Sequence, residues 1–123
     1  MLTKDLILAA ADTAPKSVDV PEWGGSVNIA VMSGVARDAF NASIQKDQPN
    51  SVFIANLLVA TLVDEAGTPI FTSADVGALQ QKSAAVTGRL AEAAMELNGL
   101  AAGAKDAAAK NSEAAPSGDS GSA

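Results

Sequence analysis

The chain has 123 residues and a formal net charge of −6, and it contains no cysteine, histidine or tyrosine. An acidic chain without a basic cluster is not expected to bind a nucleic-acid backbone or an anionic membrane surface. The lack of cysteine excludes disulfides, thiolate metal sites and a cysteine nucleophile. The longest apolar run, residues 52–63, is too short to cross a bilayer. Asp5 stands where the basic region of a signal peptide would end, so no such leader is expected.

The first predicted element is a short helix from Thr3 to about Ala11. Thr3 can cap the helix, and Asp5 lies in the first turn, where the helix dipole favours an acid. Pro15 ends it, because the residue before a proline is pushed out of the α region. The expected apolar face is Leu6, Ile7 and Ala10.

A β-hairpin is predicted next, with strands near residues 17–21 and 26–32. Apolar and polar residues alternate on both sides of a glycine pair, which is typical of two strands with one buried face. The alternating apolar residues are Val18, Val20, Val27, Ile29 and Val31. Gly24 and Gly25 are expected to supply the positive φ of the turn, and Pro21 suits a strand end. Because one hairpin is only marginally stable, the helices must cover its apolar face.

Two longer helices follow. Ser33 is expected to cap the second helix, which has an apolar stripe at helical spacing. That stripe is Ala36, Ala39, Phe40, Ser43 and Ile44. Ser51 is expected to cap the third, residues 52–63, which is apolar nearly all round and should be the most buried element. Its many β-branched residues leave a strand as the alternative.

The last third of the folded part is predicted as turn, short helix and long helix. An extended segment at residues 70–71 can pair with a strand edge, and Thr72 with Asp75 is expected to form a capping box. The fourth helix is expected to carry Val76 and Leu79, with Gln80 as a further candidate, and Ser83 is expected to cap the fifth. The inward residues of the fifth helix are Val86, Leu90, Ala93, Ala94 and Leu97. Asn98-Gly99 stops that helix, and Leu100 is expected to fold back on it.

The sequence therefore predicts an α+β fold for residues 1–100, a small N-terminal β-hairpin packed against four to five α-helices. Residues 101–123 are rich in Ala, Ser and Gly and are expected to form a flexible tail. Residues 101–109 are rich in alanine and could extend the last helix in a frayed form. Residues 111–123 are expected to be disordered, because they cannot bury enough apolar surface to offset chain entropy.

No group of residues points to catalysis. Without histidine, tyrosine or cysteine, the general bases and nucleophiles reduce to carboxylates, lysine and hydroxyls. Asp64 and Glu65 are interpreted as solvated turn residues, with odds of about nine in ten. Glu92 and Glu96 lie one turn apart and are interpreted as a solvated acidic face rather than a metal site. No cofactor, metal or catalytic residue is expected, and the chain is not expected to be an enzyme.

Trp23, the single tryptophan, has two interpretations. It can pack over the hairpin, or it can anchor a partner protein. Base rates favour packing by about two to one, although tryptophan is also the residue type most enriched at interface hot spots.

Five segments, taken in order, resemble the tail assembly chaperones of long-tailed bacteriophages over about residues 1–100. They are Thr3-Lys4-Asp5-x-Ile7-Leu8-Ala9-Ala10, Val18-x-Val20-Pro21-Glu22-Trp23-Gly24-Gly25-x-Val27, Ser33-Gly34-Val35-Ala36-Arg37-Asp38-Ala39-Phe40, Leu62-Val63-Asp64-Glu65-x-Gly67-x-Pro69-Ile70-Phe71-Thr72 and Leu97-Asn98-Gly99-Leu100. No single segment is specific, but the ordered set is. The chain departs from the family in its residues 52–63 and 84–94, which are less charged than is usual there.

The resemblance implies a role in building the phage tail inside the host bacterial cytoplasm. Such proteins bind the tape-measure protein, help to recruit the major tail protein and are absent from the mature virion. A tape-measure protein exposes long apolar stripes, which a small acidic partner could cover. We expect the partner-binding surface at the hairpin tip, Glu22, Trp23, Gly24 and Gly25, together with the outer face of the fifth helix.

The resemblance also implies that two lengths of the protein can be made by a −1 ribosomal frameshift. The codons GCA-AAA-AAC would encode Ala109-Lys110-Asn111 and would contain a slippery run. A frameshifted longer form of the chain is therefore a further candidate partner.

Two other functional classes stay open. One is a structural virion component, such as a minor tail or head–tail joining protein, and mass spectrometry of purified particles would detect it. The other is a host-directed adaptor or inhibitor that mimics nucleic-acid charge. The acids are spread along the chain rather than grouped in a block, which counts against mimicry.

Overall fold

A computed structural model describes residues 1–100 as a small antiparallel sheet with five helices around it. The helices are α1 (Lys4–Ala9), α2 (Gly34–Ser43), α3 (Asn50–Thr61), α4 (Val76–Gln80) and α5 (Ala84–Leu97). The strands are β1 (Lys16–Val20), β2 (Gly25–Ile29) and β3 (Leu62–Val63), in the sheet order β1-β2-β3. The α+β prediction is confirmed, while the predictions for residues 101–123 lie outside the described residues.

The hairpin forms where the alternation predicts it. Val18 pairs with Val27, and Lys16 pairs with Ile29. Val20 and Ile29 are buried, so the predicted inner face is correct. The prediction that the second strand continues to residue 32 is wrong, because β2 ends at Ile29. Beyond it, the Met32 N–H donates to the Asn98 side chain rather than to a strand.

The third strand was not predicted. The apolar run 52–63 divides, since its first ten residues lie in α3 and its last two form β3. Leu62 pairs with Ile29, and Val63 pairs with Asn28, so the helix runs directly into the sheet. The extended segment predicted at 70–71 does pair with this edge, because Ile70 N–H donates to the Leu62 carbonyl at 3.2 Å.

The core lies between the sheet and helices α2 to α5. Helix α3 is central to it, with four apolar side chains buried: Phe53, Ala55, Leu57 and Leu58. The Phe40 ring of α2 meets the Phe53 ring at 5.8 Å between centroids. From α5 the buried apolar residues are Val86, Leu90, Ala91 and Ala94. The predicted stripe of α2 is correct at Phe40 and Ile44 but not at Ala39, which is exposed.

The predicted helix caps are confirmed at four sites. The hydroxyls of Thr3, Ser33 and Ser83 each accept a hydrogen bond from the backbone N–H three residues later. Thr72 and Asp75 form the capping box, since the Thr72 N–H donates to the Asp75 carboxylate. The prediction for Ser51 is wrong, because α3 begins at Asn50 after Pro49 and the Ser51 hydroxyl instead accepts from Gln80 of α4.

The end of α5 closes as predicted. Gly99 has φ +70°, a left-handed conformation that a glycine adopts without steric cost. The Leu100 N–H donates to the Met95 carbonyl at 2.7 Å, and the Gly99 N–H donates to the Glu96 carbonyl. This pair of hydrogen bonds is the Schellman motif.

Asn98, at the same helix end, joins three parts of the fold. Its Oδ1 accepts the Met32 N–H at 2.6 Å, and its Nδ2 donates to the carbonyls of Ala30 and Ala94. Its backbone carbonyl accepts a hydrogen bond from Arg37 of α2. The end of the sheet strand, α2 and α5 are therefore held together at one residue.

Helix α1 is the exception to the packed arrangement. It was expected to cover the sheet with the other helices, but no residue of it is buried. Leu6 and Ile7 of the predicted apolar face are each 55% exposed, and Leu8 is 75% exposed. On the hairpin, Val18 shares a groove with Leu97 of α5 rather than with a residue of α1. Within residues 1–100, no helix has the length and apolar character needed to span a membrane.

Candidate interaction site at the hairpin tip

The hairpin tip is a single 3-10 turn formed by Pro21, Glu22 and Trp23. Pro21 fits the first position because its φ is fixed near the helical value and its missing N–H is not needed there. Gly24 follows with φ +78°, and its N–H donates to the Pro21 carbonyl at 3.0 Å. The prediction that both glycines take positive φ is wrong, because Gly25 lies in β2 and pairs with Val20.

Glu22 leaves this turn toward α5 and pairs with Arg89. Arg89 Nη1 lies 2.8 Å from Glu22 Oε2, and Arg89 Nη2 lies 2.8 Å from Glu22 Oε1. Such a two-bond pair fixes both the position and the orientation of the carboxylate. The hydrogen bonds from Arg89, with a backbone bond within Glu22, lower the pKa of the Glu22 carboxyl to about 2, and the same pairing raises the pKa of Arg89.

Trp23 is half-buried and forms one wall of a groove of about 330 Å³. The other lining residues are Phe71, Ala78, Leu79 and Lys82. The Lys82 ammonium lies 5.7 Å from the centre of the indole ring, within the range of a cation–π contact. Trp23 also packs against the core. The packing interpretation of the tryptophan is therefore confirmed, and the same residue lines a groove, while its role as an anchor for a partner protein stays a prediction.

The outer face of α5, the second surface expected to bind a partner, begins beside the tip. A groove of about 420 Å³ runs between α5 and the start of α3. Its lining includes Ile54 from α3 and, from α5, Ala85, Gly88, Glu92 and Met95. Arg89 also lines this groove while its guanidinium reaches Glu22. The two surfaces that sequence reasoning named separately are thus adjacent at Arg89.

The acidic residues singled out in the sequence lie in two places, Asp64 and Glu65 in the 64–68 turn and Glu92 and Glu96 on α5. Asp64 Oδ1 accepts the N–H groups of Ala66 and Thr68, so this carboxylate shapes the 64–68 turn. Glu65, Glu92 and Glu96 are exposed. In the part of the chain that the structure describes, no group of three or more acidic, histidine or cysteine side chains could hold a metal ion.

Sequence reasoning missed four residues of the tip: Phe71, Leu79, Lys82 and Arg89. Arg89 and Lys82 carry one signal, a charge opposite to that of Glu22. Because 67 residues separate Arg89 from Glu22, one sequence alone could not pair them. Phe71 belongs to one of the segments that resemble the family, but nothing in that segment indicates that Phe71 lines a groove with Trp23.

Comparisons with known proteins agree on one family. The family model described as phage tail assembly chaperone matches residues 3–111 of this chain. The solved structure of the bacteriophage HK97 tail assembly chaperone is similar, with 27% sequence identity and a TM-score of 0.57. The similarity covers 80% of this chain and 94% of the HK97 chain. No curated protein matches the chain significantly.

Proposed function

This chain belongs to the phage tail assembly chaperone family, and we propose that it binds the phage tape-measure protein through the hairpin tip. The observation that carries the proposal is the family match, which spans nearly the whole described domain. The role is non-enzymatic: the chain covers apolar stretches of the tape-measure protein during tail assembly and helps to recruit the major tail protein. It acts in the host cytoplasm and is left out of the finished virion.

The groove at Trp23 supports the choice of the tip. Trp23, Phe71 and Leu79 offer apolar walls beside a cation, which suits a large apolar side chain of a partner helix. Tryptophan in such a partly exposed position is the residue type most often found at interface hot spots. Glu22, Gly24 and Gly25 complete the proposed surface by shaping the turn that presents the ring.

The test is co-purification of the tape-measure protein with the Trp23→Ala variant. We expect a loss of about 2 kcal/mol of binding free energy, or roughly thirtyfold in Kd, because a tryptophan anchor is removed. Val35→Ala is the matched control, since Val35 is an exposed apolar residue of α2 outside the groove. Circular dichroism establishes that both variants are folded.

Two outcomes contradict the proposal. If Trp23→Ala is folded and binds the tape-measure protein like the control, the hairpin tip is not the binding surface. If mass spectrometry finds the chain as a regular component of purified particles, the protein is a structural virion component instead. The gene sequence around codons 109–111 tests the frameshifted longer form separately, since that form requires a slippery site and an open −1 frame.

A further inference from the structure

We propose that Arg89 is a positioning residue for the hairpin tip, holding the Trp23 turn through Glu22 in the geometry that a partner binds. The inference rests on the proposed function of the tip and adds to it a residue from a different element, α5. Arg89 does not line the Trp23 groove, so its effect on that groove is indirect.

The geometry of the pair suits this role. Glu22 is the middle residue of the three-residue turn, and Trp23 follows it directly. Two parallel bonds of 2.8 Å each hold the carboxylate against a planar guanidinium. A planar fork restrains rotation as well as distance, which a single bond from a lysine would not do. The turn is thus fixed to α5, a helix whose inner face belongs to the core.

The other restraints on the turn are its backbone bonds, the flanking Val20–Gly25 strand pair and the contacts of the Trp23 ring, which packs against the core. The Gly24 N–H bond to the Pro21 carbonyl closes the turn on itself without fixing its direction. Lys82, two residues beyond the end of α4, makes a cation–π contact with the indole ring, with 5.7 Å between its ammonium and the ring centre. Removing the Arg89 contact therefore leaves the turn closed and the ring in contact with the core, but it releases the Glu22 carboxylate from α5.

Exposure separates a positioning role from a role in overall stability. The Arg89 and Glu22 side chains are 44% and 45% exposed. Ion pairs this exposed contribute little to the stability of a whole domain, because water and salt screen them. A binding loop held in its bound geometry gains affinity because less ordering is needed on binding. The expected effect therefore appears in the order of the turn and in affinity.

The test uses Trp23 fluorescence, which reports on this turn alone because the chain has one tryptophan and no tyrosine. The variants are Glu22→Gln, Arg89→Gln and the exchanged pair Glu22→Arg with Arg89→Glu. Glu65→Gln and Lys4→Gln are the controls, since they make the same charge changes at exposed positions. We expect acrylamide quenching of Trp23 to rise by about twofold in the two single variants, because the ring becomes more accessible. The exchanged pair should return it toward the original value.

Affinity for the tape-measure protein is measured on the same set. The single variants should bind about tenfold more weakly, and the exchanged pair should recover most of that loss. If quenching and affinity in the single variants equal those of the controls while Trp23→Ala weakens binding, the positioning role is wrong and the binding surface stands. If Trp23→Ala itself does not weaken binding, the proposed surface fails instead.

Discussion

Arg37 donates a hydrogen bond from Nη2 to the backbone carbonyl of Asn98, with 2.6 Å between the two atoms. Arg37 lies in α2 and Asn98 ends α5, 61 residues later. Both residues belong to segments by which the chain resembles its family. The hydrogen bonds described for them do not involve the hairpin tip. Their role is structural, since a cation at the last carbonyls of a helix satisfies groups that have no partner within the helix.

Asn98→Ala should be among the most damaging single changes. The Asn98 side chain is 7% exposed and makes three hydrogen bonds, including one that satisfies the Met32 N–H. The variant leaves that donor buried and unpaired and removes the bond to the Ala30 carbonyl, while the Ala94 carbonyl keeps the backbone N–H of residue 98. The free energy of unfolding should therefore fall by roughly 2–4 kcal/mol. Urea denaturation measures this change in the free energy of unfolding. Asn50→Ala, at an exposed position, is the control, and an equal loss in both variants would contradict this account.

Arg37→Met should cost much less. A charged hydrogen bond is worth about 1.5–3 kcal/mol, but Arg37 Nε is buried without a hydrogen-bond partner among residues 1–100. Methionine keeps the packing of the stem and removes that unpaired donor. The net loss should be about 1 kcal/mol in the same urea experiment. A loss as large as that of Asn98→Ala would show that the guanidinium is better satisfied than its contacts indicate.

Two Leu→Ala substitutions test the contrast between α5 and α1. Leu90 is fully buried, and its truncation should cost about 2–5 kcal/mol through lost burial and a cavity. Leu8 is 75% exposed, so Leu8→Ala should change stability by no more than about 0.5 kcal/mol. Thermal melts of the two variants give the comparison. A large loss for Leu8→Ala would mean that α1 packs against something in solution.

Two Gly→Ala substitutions distinguish the effect of backbone conformation on stability from the effect of a steric clash. A Cβ at Gly99 or at Gly88 would meet no atom within 4 Å, so neither change creates a clash. Gly99 has φ +70°, and alanine there should cost about 1–2 kcal/mol. Gly88 lies within α5, where alanine should add about 0.5–1 kcal/mol. Denaturation midpoints that move in the same direction would contradict the prediction.

The pH dependence of Trp23 fluorescence should report the Glu22–Arg89 pair. The pKa of Glu22 is about 2 in the folded chain against an ordinary 4.5. Its contribution to stability is therefore complete above pH 4.5 and is lost as pH falls toward about 2. In the folded protein, quenching should stay constant on acidification to about pH 4 and change with a midpoint near pH 2.

Two comparisons make that titration specific. Glu22→Gln should lack the step, and circular dichroism in parallel should separate the step from acid unfolding. A midpoint near the ordinary value of 4.5 would show that the ion pair is not formed in solution.

Local signals in the sequence were sufficient for most of the elements. The capping box at Thr72 and the Schellman end at Gly99 each depend on residues within a few positions of one another, and both were predicted. The start of α3 was missed because Ser51 has the right chemistry for a cap but the helix begins before it. Strand β3 was missed because two residues at a helix end carry no periodicity, and their partners lie more than 30 residues away in β2.

The position of the hairpin tip could be predicted from the sequence, but its contacts with the rest of the fold could not. Its turn residues are contiguous, so Glu22 and Trp23 were identified together. Arg89 of α5 pairs with Glu22, and Phe71, from the loop before α4, lines one groove with Trp23. Both residues are brought there by the packing of the whole domain. Contacts of that kind depend on the tertiary arrangement, which periodicity along one chain does not encode. The family resemblance supplied the function, and the structure supplied the geometry for testing it.

The position of β1 in the sheet bears on how the protein behaves at high concentration. Within residues 1–100, β1 pairs with β2 on one side, and its other edge faces away from the sheet. An open edge offers backbone donors and acceptors to any passing strand and can seed aggregation. Here the edge is five residues long, carries Lys16 and Asp19, and is followed directly by Pro21, which has no N–H to donate. Charge, brevity and a missing N–H therefore oppose the growth of this sheet from chain to chain.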